Sequence, residues 1–379
     1  MKKIKVMTVF GTRPEAIKMA PLVLKLKKNS SFEALTVVTA QHREMLDQVL
    51  QTFCIQPDYD LNIMHANQTL GEITASVLQL LDQVIAEKRP DIILVHGDTT
   101  TTFAASMAAF YRRIPLGHVE AGLRTWNKYS PYPEEMNRQM TDVLSDLYFA
   151  PTKQSKDNLL KEGHPEEKIF ITGNTAIDAL EKTIHKSYEH DVLTKIDPEH
   201  KIVLLTMHRR ENQGTPMKNV FTAVREVLQT HPDVDVIYPL HLNPKVRKIA
   251  YDILGNNEQV HLIEPLDVVN FHNLSAKSFF IMTDSGGVQE EAPALGKPVL
   301  VLRDTTERPE GVTAGTLKLV GTDLNNVKEE MNKLLDDRAA YKVMAEATNP
   351  YGDGRAAARI IESLSYFFGI QKKRPLDFQ

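Results

Sequence analysis

One feature limits the possible folds more than any other: short apolar runs alternate with amphipathic segments, and the alternation occurs twice. Ile4 to Val9, Leu35 to Thr39, Ile92 to Val95, Leu116 to Val119, Leu147 to Phe149 and Ile169 to Thr172 form a first series of short apolar runs. Segments such as Pro14 to Lys28 and Leu70 to Lys88 lie between them. A strand that is apolar throughout needs cover on both faces, so the pattern predicts a parallel sheet packed between helices. The pattern then restarts with Ile202 to Thr206, Val234 to Tyr238, Val260 to Ile263, Phe279 to Met282, Val299 to Leu302 and Leu317 to Val320. At 379 residues the chain is also long for a single core. The prediction is therefore α/β: two doubly wound, Rossmann-like domains facing a central cleft. Between Asn174 and Pro198 a helical stretch leads into the polar run Lys195-Ile196-Asp197-Pro198-Glu199 and separates the series, giving domains 1–173 and 174–357.

Charge and cysteine content narrow the function classes. Net charge is −4, so no global basic field recruits nucleic acid or anionic lipid. The single Cys54 excludes an internal disulfide and a cysteine-based zinc site, which suits a reducing cytoplasm. No apolar run approaches the roughly 18 residues of a membrane span, and none at the start has the length of a signal peptide's apolar segment. The expectation is a cytoplasmic protein that engages neither nucleic acid nor membrane.

Polar clusters fall where the strands should end, which is where open α/β sheets bind ligands. The most informative is Thr283-Asp284-Ser285-Gly286-Gly287-Val288-Gln289-Glu290-Glu291. A strand, then small residues, then a helix start leaves backbone N–H groups open to an anion. Glu290 and Glu291 follow, one or both within reach of an adjoining polyol. After the first strand, Arg13 and Lys18 can meet a diphosphate, with Pro14 suited to the first helical turn. Neither a Walker loop nor Gly-x-Gly-x-x-Gly is present, and no cofactor is expected.

His96-Gly97-Asp98-Thr99 and His118-Val119-Glu120 end the next two apolar runs. The threonines suit helix capping, whereas Asp98 is a carboxylate able to move protons. Glu120 closes an apolar strand, where an acid is costly unless partnered or functional. Glu134 and Glu135 both suit a first helical turn, and that preference cannot choose between them. In the second series, Met207-His208-Arg209-Arg210 offers an acid/base group beside cations, and His241 follows the next strand. These histidines lack metal-site spacing with an acidic partner, so no metal is expected. Arg308 lies in the charged run that follows Leu302.

Together, Phe10 to Glu15, Val95 to Thr99, His118 to Arg124, His208 to Glu211, Thr283 to Glu291 and Arg303 to Pro309 resemble the non-hydrolysing UDP-N-acetylglucosamine 2-epimerases of bacteria. The resemblance implies a glycosyltransferase B type fold whose last helix, within 358–379, returns to the first domain. It implies a homodimer that interconverts UDP-GlcNAc and UDP-ManNAc for surface polysaccharides. It implies elimination of UDP to a 2-acetamidoglucal, followed by re-addition.

By the same resemblance, Arg13, Lys18, His208, Ser285, Gly286, Gly287 and Arg308 hold the diphosphate and its surroundings. Glu291 matches the ribose ligand, and Leu266 and Phe271 match positions near the uracil. Asp98, Glu120, Glu134 and His208 match the acid/base groups. Gln41, His42, Arg209 and His241 match an activator site for a second UDP-GlcNAc. This chain has Glu44 and Asn67 where some members carry Gln and Arg. A retaining glycosyltransferase, a hydrolysing epimerase and a nucleotide-sugar sensor are the competing readings.

Overall fold

A computed structural model of the chain describes residues 3–306 and 308–379; Glu307, within the charged run before Pro309, lies outside them. The first series forms strands β1 (Ile4–Phe10), β2 (Phe32–Val38), β3 (Tyr59–Asp60), β4 (Ile92–His96), β5 (Leu116–Val119), β6 (Leu147–Ala150) and β7 (Ile169–Ile171). They pair in parallel in the order β3-β2-β1-β4-β5-β6-β7. The second series forms β8 (Lys201–Thr206), β9 (Val234–Pro239), β10 (Val260–Ile263), β11 (Phe280–Thr283), β12 (Val299–Val301) and β13 (Leu317–Leu319). Their order, β10-β9-β8-β11-β12-β13, is likewise parallel.

Both sheets reverse their winding between the first strand of the series and its central neighbour, at β1/β4 and at β8/β11. Such a switch point opens a crevice at the carboxyl ends of the strands. The four segments leaving those strands carry Arg13, Asp98, His208 and Ser285, so topology alone places candidate residues at each crevice.

The chain divides into two compact units, Met1–Lys182 with Tyr351–Gln379, and Thr183–Pro350. The helix Thr175–Thr183 is tied to the first unit through Asp178, whose two carboxylate oxygens accept the N–H groups of Ala356 and Ala357 at 3.0 Å each. Those N–H groups open the last helix, Ala356–Phe367, where a carboxylate suits both the unpaired donors and the dipole. Burial nevertheless pushes Asp178 up to about 6, against the lowering effect of its two N–H donors. Ala357, Ile360, Ile361 and Leu364 of that helix share a core with Ala16, Met19 and Val23 of the helix Arg13–Lys28. Among the described residues, no helix is long and apolar enough to cross a membrane.

Candidate active site

In the first unit, Glu15 fixes the loops that carry the candidate residues. The Thr12 hydroxyl and the Glu15 carboxylate form a capping box at the start of helix Arg13–Lys28. Glu15 Oε2 accepts from the N–H groups of Gly11 and Thr12 at 3.0 and 2.8 Å, and Oε1 accepts from the hydroxyls of Thr99 and Thr102 at 2.6 and 3.0 Å. One buried carboxylate thus joins the turn after β1 to the turn after β4. Gly11 admits no side chain, because a Cβ there would stand 1.8 Å from Thr39 Oγ1. Thr99, not Asp98, caps the following helix, accepting from the Thr102 N–H at 3.1 Å.

Glu120 is the centre of this cluster. Its backbone is left-handed, with φ 68°, a conformation that costs a non-glycine residue about 1–2 kcal/mol. Its side chain is only 9% exposed and forms an ion pair with Lys18 Nζ through Oε1. Asn174 Nδ2 donates to the same oxygen at 3.2 Å. The other oxygen, Oε2, lies 3.8 Å from His96 Nε2. Gly97, itself at φ +68°, leaves the space this carboxylate occupies, since a Cβ there would approach Oε2 to 3.3 Å. Burial pushes His96 down to about 3, with Lys18 and His118 adding to the effect and Glu120 opposing it, so the ring is neutral.

Asp98 is half-buried, with Oδ2 receiving Arg138 Nη2 at 2.5 Å and its carbonyl receiving Asn137 Nδ2 at 2.9 Å. Arg138 stands four residues after Glu134 on the helix Glu134–Leu144. The two glutamates of that first turn separate clearly. Glu135 is fully buried and accepts the Thr125 and Trp126 N–H groups at 3.0 Å each, with Gln139 at 2.8 Å. Burial alone would raise its pKa, but those donors and Arg138 hold it below the usual range. It fastens the loop, and Glu134 remains half-buried at the helix start. Behind both, His118 is locked between Asp142 Oδ1 at 2.6 Å and the Gly97 carbonyl at 2.7 Å. Gln41 Oε1 accepts from Thr101 Oγ1 at 2.9 Å, while His42 and Arg13 are exposed.

In the second unit, Asp284 plays the part that Glu15 plays in the first. Fully buried, it accepts the N–H groups of His208 and Arg209 at 3.0 and 2.9 Å and Asn212 Nδ2 at 3.0 Å. This holds the turn after β8 against the turn after β11. The His208 ring stacks on His241, centroids 5.4 Å apart at 9°, and Arg209 lies 3.7 Å from Glu211.

Ser285 precedes the helix Gly286–Glu291 without capping it through its side chain. Glu290 is buried and accepts Arg308 Nε at 2.7 Å, which leaves Glu291 as the acid at that helix's surface. Glu291 lies 3.4 Å from His272 Nε2, beside half-buried Phe271. Leu266 is half-buried just before the helix Val268–Lys277.

Lys18, Glu120 and Asn174 therefore meet in the first unit. His208, Arg209 and His241 meet in the second, as do Glu290 with Arg308 and Glu291 with His272. Sequence reasoning passed over Arg138, Asn174, His96 and Asp284. A signal existed for two of them: Arg138 follows Glu134 at helical i, i+4 spacing, and Asp284 is an acid closing an apolar strand, as Glu120 is.

Two parallel, doubly wound sheets with titratable side chains at their carboxyl ends define an α/β enzyme of the glycosyltransferase B type. The chain belongs to the UDP-N-acetylglucosamine 2-epimerase family, whose pattern matches residues 24–365. It is 62% identical over 378 residues to the UDP-N-acetylglucosamine 2-epimerase of Bacillus subtilis (strain 168), covering 100% of this chain and 99% of that one. It is 55% identical over 369 residues to that of Escherichia coli (strain K12), covering 95% and 98%. The crystal structure of UDP-GlcNAc 2-epimerase from Neisseria meningitidis bound to UDP-GlcNAc matches with a TM-score of 0.87 at 53% identity, covering 95% and 99%.

Proposed function

We propose that the protein interconverts UDP-GlcNAc and UDP-ManNAc without hydrolysis, by elimination and re-addition of UDP. The observation that most supports this reading is Glu120, a carboxylate held in strained backbone beside Lys18 at a strand end. The C2 hydrogen of this sugar has no carbonyl to acidify it, so simple abstraction is closed. In the elimination, the C1–O bond breaks and its electron pair leaves with UDP. A carboxylate takes the C2 proton, and the C2–H pair becomes the C1=C2 bond of 2-acetamidoglucal. Re-addition delivers a proton to the other face of C2 and the UDP oxygen to C1.

Each demand of that route has a matching group. Charge that develops on the diphosphate calls for preorganised cations and N–H dipoles. Arg13, Lys18, His208, Arg308 and the Ser285-Gly286-Gly287 turn supply them, with Glu291 on ribose and Leu266 and Phe271 beside the uracil. Proton removal and return on opposite faces calls for more than one acid/base group. Asp98, Glu120, Glu134 and His208 fill those roles. The glucal must be kept from stray water until UDP adds back.

By family likeness the enzyme is a cytoplasmic homodimer supplying ManNAc for surface polysaccharides. Gln41, His42, Arg209 and His241 form the activator site for a second UDP-GlcNAc. NMR of UDP-GlcNAc incubated with the protein alone should show UDP-ManNAc accumulating to an equilibrium. Free ManNAc with UDP would instead mark a hydrolysing enzyme, and an unchanged spectrum a sensor or transferase.

A further inference from the structure

His96 is a buried polar side chain that the mechanism above leaves without work. It ends β4, is 3% exposed, and neither ring nitrogen has a hydrogen-bond partner among the described residues. A buried polar group without a partner is destabilising, whereas an apolar side chain of similar size fills the same space without that cost. The ring lies beside one group the mechanism does use: Nε2 is 3.8 Å from Glu120 Oε2, about 1 Å beyond hydrogen-bond reach. Lys18 and His118 also act on the ring electrostatically. His118 is bound to Asp142 and to the Gly97 carbonyl, so it does not compete for Glu120.

Lys18 has two prospective tasks. In this structure it pairs with Glu120, and in the proposed reaction it meets the diphosphate. It cannot keep its full pairing with Glu120 while turned to phosphate. Glu120 then loses its nearest cation while buried, and a donor brought to the carboxylate offsets that loss.

We propose that His96 is a positioning residue for Glu120, donating from Nε2–H to Oε2 when Lys18 turns toward the substrate diphosphate. No proton changes hands in this step. The hydrogen bond fixes the direction of the carboxylate toward C2 and keeps it ionised. The inference rests on the epimerase reading, and the same assay separates the two.

The test compares His96→Leu with His96→Gln, whose amide nitrogen stands near the place of ring Nε2. Turnover is followed by UDP-ManNAc formation and by solvent deuterium entering C2, and UDP affinity by calorimetry. His96→Leu should bind UDP as the wild type does and keep its KM within about 2-fold, while kcat falls about 30- to 100-fold. The acid limb of its kcat profile should move to higher pH, because a hydrogen bond to the charged form favours that form. His96→Gln should recover kcat to within about 5-fold of wild type.

A Leu variant with wild-type kcat and pH profile would overturn the proposal, as would a Gln variant no better than Leu. Should the Leu chain not fold, His96→Asn decides. Its amide reaches only the Nδ1 side, so the proposal requires lost turnover with UDP affinity intact, and wild-type turnover contradicts it. Wild-type protein that never exchanges the C2 hydrogen would overturn the epimerase reading and this inference together.

Discussion

The two units share a central strand order and a switch-point crevice, and differ in the carboxylate that follows an apolar strand, Glu120 in the first and Asp284 in the second. In the second unit, Asp284 is bound to backbone N–H groups and an amide. It holds the turn that leads to Ser285, Gly286 and Gly287 against the turn after β8. In the first unit, Glu120 and Asp98 face cationic side chains, Lys18 and Arg138. A side-chain cation can be drawn away by a phosphate, whereas a backbone N–H cannot leave the chain. Glu120 is therefore placed to change its charge pairing during the proposed turnover, and Asp284 to keep its partners throughout. On the proposed reading, Glu120 serves the chemistry and Asp284 the anchorage of UDP.

Substitutions that remove one carboxylate at a time can break this comparison. Glu120→Gln should lower kcat roughly 10³-fold while leaving UDP affinity within about 2-fold, since general acid/base groups contribute about 10²- to 10⁴-fold. Steady-state kinetics with UDP calorimetry checks it, and a large loss of UDP binding would place Glu120 in the anchor instead. Asp284→Ala should do the reverse. It removes the acceptor of the His208 and Arg209 N–H groups, so denaturation should show a loss of about 2 kcal/mol, accompanied by weak UDP binding. A stable Asp284→Ala protein with normal UDP affinity would refute the anchoring role.

The glutamate pair sharpens the picture. Glu134→Gln should reduce kcat about 10²-fold with the melting temperature unchanged. Glu135→Gln, which weakens the grip on the Thr125 and Trp126 N–H groups, should mainly lower the melting temperature. The opposite outcome would exchange their roles.

A smaller effect concerns Asp178, outside both sites. Its folded pKa, about 6, lies above the ordinary 3.8. The fold therefore favours the protonated form, giving stability that is present below about pH 4 and lost as pH rises through 6. The stability of Asp178→Asn minus that of wild type should accordingly become more favourable between pH 4 and 7, by on the order of 2 kcal/mol. Urea titrations at the two pH values measure it, and a difference independent of pH would contradict the assignment.

Much of this was legible in the sequence, for physical reasons that differ by residue. The long-paired strands of both sheets read as continuous apolar runs because parallel strands are buried on both faces. β3 did not, being two residues, Tyr59–Asp60, with an acid at the sheet edge. Glu120 stood out as an acid closing an apolar strand, but its left-handed backbone has no mark in composition. Its pairing with Lys18 spans 102 positions and is set by the β1-β4-β5 order, which local spacing does not encode. Glu134 and Glu135 could not be separated by the helix dipole, which favours both. The N–H groups of Thr125 and Trp126 separate them, through a loop whose return to the helix no periodicity announces.

At the centre stands proton transfer at C2 by acid/base groups on opposite faces of the sugar, Glu120 among them, while UDP stays bound. Running the reaction in deuterium oxide tests it most directly. Every UDP-ManNAc formed should carry deuterium at C2, UDP-GlcNAc should gain it on reversal, and Glu120→Gln should suppress both. Product that keeps its original C2 hydrogen would contradict the account.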